Sequence, residues 1–185
     1  MTKEVIWLAR HGETDDNAAP ARVQGWIDTP LNERGREQAR TLAREASGLG
    51  IAALYSSQLA RARETAAIVG QALGLEPVVD ERFAESNRGE WEGRLIEEVQ
   101  SEEPEAWDAW MRAAEDFRFP GGEALLDHCR RVRTALDDVA GGPLPALVVC
   151  HGGTIRCAFA QHDPRGLDAF HELLVPNASL MELPL

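Results

Sequence analysis

Two histidines in this 185-residue chain stand where chemistry is easiest to build. His11 lies in Arg10-His11-Gly12-Glu13-Thr14 and His151 in His151-Gly152-Gly153, each just after an apolar stretch and just before a glycine. A glycine there lets the chain turn and lets an anion approach backbone amides. Imidazole serves as nucleophile or proton carrier near neutral pH. Paired histidines also bind metals, but arginines stand where carboxylate ligands should be: Arg10 adjoins His11, and Arg61 follows Ser56-Ser57. Guanidinium forks repel a cation and match phosphate oxygens. The pattern therefore predicts phosphate handling without metal or cofactor, and the sequence has neither a Walker-type loop nor a dinucleotide fingerprint. His128, His162 and His171 lack such surroundings and read as structural. Cys150 is a competing nucleophile beside His151, but neighbouring strand residues face opposite ways, so it reads as buried.

The elements that must position these groups follow from hydrophobic spacing. Residues 5–9 are a continuous apolar run, as in a strand covered on both faces. Asn32 caps a predicted helix over 33–47, closed by Gly48 and Gly50. Residues 51–55 make a second buried strand. Leu59, Ala62, Ala66, Val69 and Leu73 then recur at helical spacing up to Gly74. After a brief Val78-Val79 strand, residues 85–93 form a polar, glycine-punctuated loop of the kind that often carries function. Residues 95–114 read as an acidic helical stretch interrupted by Pro104. Pro120-Gly121-Gly122 breaks the chain before a helix over 123–140 and a strand over 146–150. The alternation predicts a single α/β domain over 1–185, a three-layer sandwich with a mostly parallel central sheet and helices on both faces. Ligands in such folds bind beyond the carboxyl ends of the strands, where residues 10–17, 56–61 and 151–153 all fall.

Composition sets outer bounds. A net charge of -12 argues against a nucleic-acid or membrane partner and requires any phosphate site to gather its positive charge locally. No apolar stretch reaches membrane-spanning length, and the apolar run after Met1, Thr2, Lys3 and Glu4 is too short for a signal peptide, so the sequence reads as cytoplasmic. Cys129, Cys150 and Cys157, odd in number among apolar neighbours, read as reduced core thiols. Asn177-Ala178-Ser179 accordingly reads as unglycosylated.

Arg10-His11-Gly12-Glu13-Thr14 with Asn17 resembles the signature of the histidine phosphatase superfamily, phosphoglycerate-mutase-like branch. The similarity continues in order through Gln24-Gly25-Trp26, Asp28-Thr29-Pro30-Leu31, Gly35 with Gln38-Ala39, and Ser56-Ser57-Gln58-Leu59-Ala60-Arg61-Ala62 with Glu64-Thr65-Ala66. Glu85 with Gly89-Glu90-Trp91-Glu92-Gly93, Pro120-Gly121-Gly122-Glu123, His151-Gly152-Gly153 and Asn177-Ala178-Ser179 complete it. The resemblance implies a covalent phosphohistidine on His11, with Arg10, Arg61 and His151 holding the equatorial oxygens and Asn17 and the Gly152 backbone assisting. Gln24 and Gly25 would line the entrance. Read alone, Glu85 is a solvated loop carboxylate; by resemblance it is the proton donor to the leaving alcohol, which implies a raised pKa. Glu13 would orient an arginine or histidine, and Trp91 would be core or pocket wall.

The resemblance further implies a small phosphorylated metabolite as substrate, a homodimer as a common assembly, and a lid over about 94–120 carrying Trp107, Trp110, Phe117 and Phe119. Mutases of the family have a longer insertion after the Trp-Glu-Gly element, a longer tail, and usually asparagine after the His-Gly pair. The short segment between Gly93 and Pro120, the few residues after Asn177 and the second glycine, Gly153, therefore point to a phosphatase. A mutase and a non-catalytic phospholigand-binding protein are the alternatives.

Overall fold

Five consecutive apolar residues, Ala146–Cys150, form the fully buried central strand of a computed structural model that describes residues 4–183. The strands are β1 (Ile6–Arg10), β2 (Ala53–Ser56), β3 (Val78–Val79), β4 (Ala146–Cys150) and β5 (Leu180–Leu183), in the order β3-β2-β4-β1-β5. β4 pairs in parallel with β1 and with β2, which pairs in parallel with β3; β5 lies antiparallel to β1 at the edge. Because side chains alternate along a strand, β4 feeds two cores at once. Ala146, Val148 and Cys150 enter one apolar cluster, while Leu147 and Val149 enter the other. Helices α1 (Glu33–Ala46) and α2 (Ala60–Leu73) cover the second cluster through Leu42, Ala43, Ala62, Ala66 and Val69. Helices α5 (Leu125–Ala140) and α6 (Gly152–Ala160) cover the first through Val132, Ala135, Ile155 and Ala158. The three-layer arrangement is the one expected.

Local chemistry fixes the boundaries. The Asn32 side chain accepts the Gly35 amide at 2.8 Å and starts α1. The acidic stretch becomes two helices, α3 (Ile96–Glu102) and α4 (Pro104–Met111), because Pro104 cannot continue one helix but suits the first position of the next. α5 begins two residues later than predicted: the Glu123 carbonyl accepts the Phe119 amide, and Ala124 bridges Arg118, which keeps this stretch extended. α6 and β5 were not anticipated.

The cysteine expectation is corrected. Cys129 of α5 and Cys157 of α6 form a disulfide, their Cα atoms 4.9 Å apart where the two helices pack; Cys150 is free and buried. Burial pushes the Cys150 thiol up, so it stays protonated. Among the described residues no helix is long and apolar enough to cross a membrane. Met1 to Lys3, part of the signal-peptide argument, lie outside the described residues.

Candidate active site

β1 and β4 run side by side, and a histidine follows directly on each. His11 and His151 are almost fully buried, with ring centroids 5.2 Å apart. His11 Nδ1 lies 2.7 Å from the Gly12 carbonyl oxygen. A carbonyl can only accept, so Nδ1 carries the proton and the neutral ring keeps its lone pair on Nε2. The Gly12 amide donates to Thr65 Oγ1 at 3.1 Å, which anchors this turn to α2. A Cβ at Gly12 would fall 2.3 Å from the Gly35 carbonyl oxygen, so the close approach of α1 requires glycine. Burial, then Arg61 and Arg10, hold the His11 pKa well below its ordinary value; burial, then Arg61 and His11, do the same for His151. His151 Nε2 lies 2.8 Å from Ser57 Oγ at the end of β2.

Arg10 ends β1 and Arg61 sits in the first turn of α2 rather than in the preceding loop. Backbone carbonyls aim both. Arg10 Nη1 donates to Val175 O at 2.6 Å, while Arg61 donates from Nη1 to Ile27 O at 2.8 Å and from Nη2 to Gly25 O at 2.7 Å. The Nε atoms of both arginines are buried without a hydrogen-bond partner among the described residues. Asn17 donates to Gln24 Oε1 and accepts from Asn177 Nδ2, both at 3.1 Å. Asn177 Nδ2 also donates to the His11 carbonyl at 3.1 Å, so the sequon nitrogen is engaged in structure. Gly152 opens α6 beside Arg10.

Glu85 is brought into the same cleft, buried rather than solvated. Its Oε1 accepts the Ser86 amide at 2.9 Å and its Oε2 accepts the Gly153 amide at 3.0 Å. A Cβ at Gly153 would fall 2.2 Å from Oε1, so any side chain there would push the carboxyl out of this position. Burial raises the proton affinity of the carboxyl, but Arg88, His128, His151 and the Ser86 amide outweigh it and hold Glu85 well below the carboxylate range. The expected upward shift is therefore not a property of the free site, because the cleft is so rich in guanidinium.

All nine predicted site residues except His151 border one cleft of about 220 Å³, and His151 packs against His11 beneath it. Sequence reasoning missed Arg22, Arg88 and Arg156, which also line it. It missed Arg131 of α5, which donates to the carbonyls of Arg82, Ala84 and Glu85 and pairs with Glu123, and Trp26, whose Nε1 donates to Glu85 O at 2.7 Å. Glu13 faces Asn32 and Arg34 at the start of α1 and orients neither site arginine nor histidine. Of the lid aromatics only Trp107 lines the cleft; Trp110 packs with Phe117 and Phe119, and those two pack with Trp91, which is core. Among the described residues, no group of three or more His, Cys, Asp or Glu side chains could hold a metal ion.

Buried neutral imidazoles flanked by arginines at the end of a doubly covered, mostly parallel sheet give this α/β protein a cleft whose charge suits an anion. The sequence matches the histidine phosphatase superfamily (branch 1) over residues 6–185, and the chain belongs to that family. It is 39% identical over 178 residues to a protein named probable phosphoglycerate mutase GpmB from Yersinia pestis, covering 95% of this chain and 82% of the relative. Among solved structures, a mycobacterial glucosyl-3-phosphoglycerate phosphatase complexed with VO3 superposes with a TM-score of 0.87 at 30% identity, covering 96% of this chain and 91% of that one. Bacillus stearothermophilus YhfR superposes with a TM-score of 0.86 at 31% identity over 96% of this chain and 89% of that one.

Proposed function

We propose that this chain is a phosphatase that hydrolyses a small phosphate monoester through a covalent phosphohistidine on His11. The observation that carries the reading is the neutral His11 ring, its Nδ1 proton fixed on Gly12 O and its neighbours Arg10 and Arg61. In the first step Nε2 attacks phosphorus in line, the ester P–O bond breaks, and Glu85 gives its proton to the leaving oxygen. In the second, Glu85 takes a proton from water, whose oxygen attacks phosphorus as the N–P bond breaks, releasing phosphate. Arg10, Arg61, His151, Asn17 and the Gly152 backbone hold the transferring group's oxygens, while Gln24 and Gly25 border its entrance. A phosphate dianion seated between the arginines adds negative charge beside Glu85 and raises its proton affinity, supplying the acid form that the free site disfavours. One domain carries all of this, with residues 94–120 as a lid contributing Trp107.

A phosphatase so built hydrolyses 4-nitrophenyl phosphate in the presence of chelator, loses at least about 10³-fold in His11→Ala, and carries an acid-labile phosphoryl label in rapid quench. Activity that survives His11→Ala overturns the mechanism. The relative named as a mutase favours a second reading, phosphoryl transfer to a hydroxyl acceptor. Faster label transfer to a phosphoglycerate than to water would establish that reading instead. Stoichiometric binding of phosphate esters with no turnover would mark a phospholigand-binding protein.

A further inference from the structure

We propose that Ser57 is a positioning residue that fixes the ring proton of His151 on Nδ1, so that His151 meets the transferring phosphoryl group as a neutral donor from that nitrogen. This rests on the phosphatase reading and deepens it. Ser57 directly follows β2, and its amide donates to the Val149 carbonyl at 3.0 Å. That bond carries the pairing of β2 with β4 one residue further and seats the fully buried hydroxyl beside His151. The Leu59 amide donates to Ser57 Oγ at 3.3 Å and fills one of its lone pairs. The hydroxyl proton is left to give. Its close acceptor is His151 Nε2 at 2.8 Å, whereas the Gln58 side-chain oxygen stands at 3.5 Å, too far to compete.

Burial, then Arg61 and His11, hold the His151 pKa well below its ordinary value, so the ring is neutral and carries a single proton. A ring whose Nε2 accepts from Ser57 keeps that proton on Nδ1. His151 Nδ1 is buried and has no hydrogen-bond partner among the described residues, although the His11 ring lies next to it, 5.2 Å away between centroids. A buried donor left unpaired is costly in a folded protein, and such a group calls for a ligand or another role. Because Nε2 is taken by Ser57, Nδ1 is the nitrogen left for the phosphoryl group. An oxygen of that group, on its way to or from His11, gives the N–H the acceptor it lacks. In the other tautomer Nδ1 would turn a bare lone pair on the same oxygen, acceptor against acceptor. The serine thus decides whether the second histidine attracts the phosphoryl group or opposes it, and it acts through the ring alone.

Long-range proton–nitrogen correlation spectra read the tautomer directly, with the His151 signals identified by their loss in His151→Gln. In the wild-type protein near neutral pH, both free and with orthovanadate bound, His151 is expected to show a protonated Nδ1 and a bare Nε2. A protonated Nε2 in either state, alone or together with Nδ1, overturns the proposal. Ser57→Ala is expected to release the ring toward the Nε2–H form. It should also lower kcat/KM for 4-nitrophenyl phosphate by about 10- to 100-fold and weaken inhibition by orthovanadate to a similar degree. An alanine variant whose kcat/KM stays within about threefold of wild type overturns the role of Ser57, and so does one that loses activity with the wild-type tautomer intact. The spectra are taken on the unaltered chain, so they decide even where the variant does not fold. His11-dependent turnover with the wrong tautomer sinks the Ser57 assignment alone, whereas no turnover of any ester sinks the phosphatase reading beneath it as well.

Discussion

Glu85 is gripped by two backbone amides, from Ser86 and Gly153, and faced by Arg88, so its charge state is set by what enters the cleft. In the proposed mechanism Glu85→Gln removes both the acid and the base. Because nitrophenolate leaves without needing a proton, this variant is expected to release a rapid burst of it from 4-nitrophenyl phosphate. Steady turnover should then fall by about 10²- to 10⁴-fold, as water lacks its base; stopped-flow absorbance checks both phases. Gly153→Ala would drive a methyl group into the carboxyl and should lose activity comparably while remaining folded, which circular dichroism would show. His128 is buried beside Thr154, and burial, then Arg131, pushes its pKa down to about 4. The folded state therefore resists protonation while the unfolded state accepts it near pH 6.5. Its contribution to stability is intact above that pH and is lost progressively down to about 4, by at most about 3 kcal/mol. Urea midpoints should fall across that window, and less steeply in His128→Gln. At this scale the two histidines and Arg10 were legible because each adjoins a strand end, and Arg61 because it follows the Ser56-Ser57 strand end within a few residues. Arg88 and Arg156 were not, since nothing in their immediate sequence distinguishes them from solvated arginines.

Two helices hold Glu85 and its loop. α6 presents the Gly153 amide to the Glu85 carboxylate, and α5 presents Arg131 to three carbonyls of the loop that carries it. Arg131 is thus a positioning residue, and Arg131→Met is expected to lower kcat by about 10- to 100-fold while KM stays within about twofold. The carboxyl limb of the pH–rate profile should shift in the same variant, which a loss of packing alone would not cause. Strands and helices with strong spacing were readable to within one or two residues: β4 matched, α1 began at its Asn32 cap, and α2 ended at Gly74. α6 escaped because it opens with two glycines, which score against a helix until burial and the sheet supply its support. β5 escaped because four residues at a sheet edge carry too little alternation to register.

Across the whole molecule, the sequence reading of charge was productive: a phosphate site in so acidic a chain has to gather its positive charge locally, and Arg10, Arg22, Arg61, Arg88 and Arg156 all border the cleft. Its reading of the cysteines failed because partners 28 residues apart become neighbours only when α5 and α6 pack. That cross-link should contribute about 3 to 4 kcal/mol by restricting the unfolded chain. Reduction with dithiothreitol is expected to lower the thermal midpoint by several degrees, and Cys157→Ser should reproduce the shift.

β1, which delivers His11, has β4 on one side and β5 on the other. Both partners come from the last quarter of the sequence, and the Asn177 clasp on the His11 carbonyl spans 166 positions. The strand that leads into His11 is therefore bare along both edges until nearly all of the chain has been made. Closure over such separations is slow. An N-terminal fragment ending before Ala146 would present an unpaired apolar ribbon to its neighbours, inviting aggregation rather than partial activity.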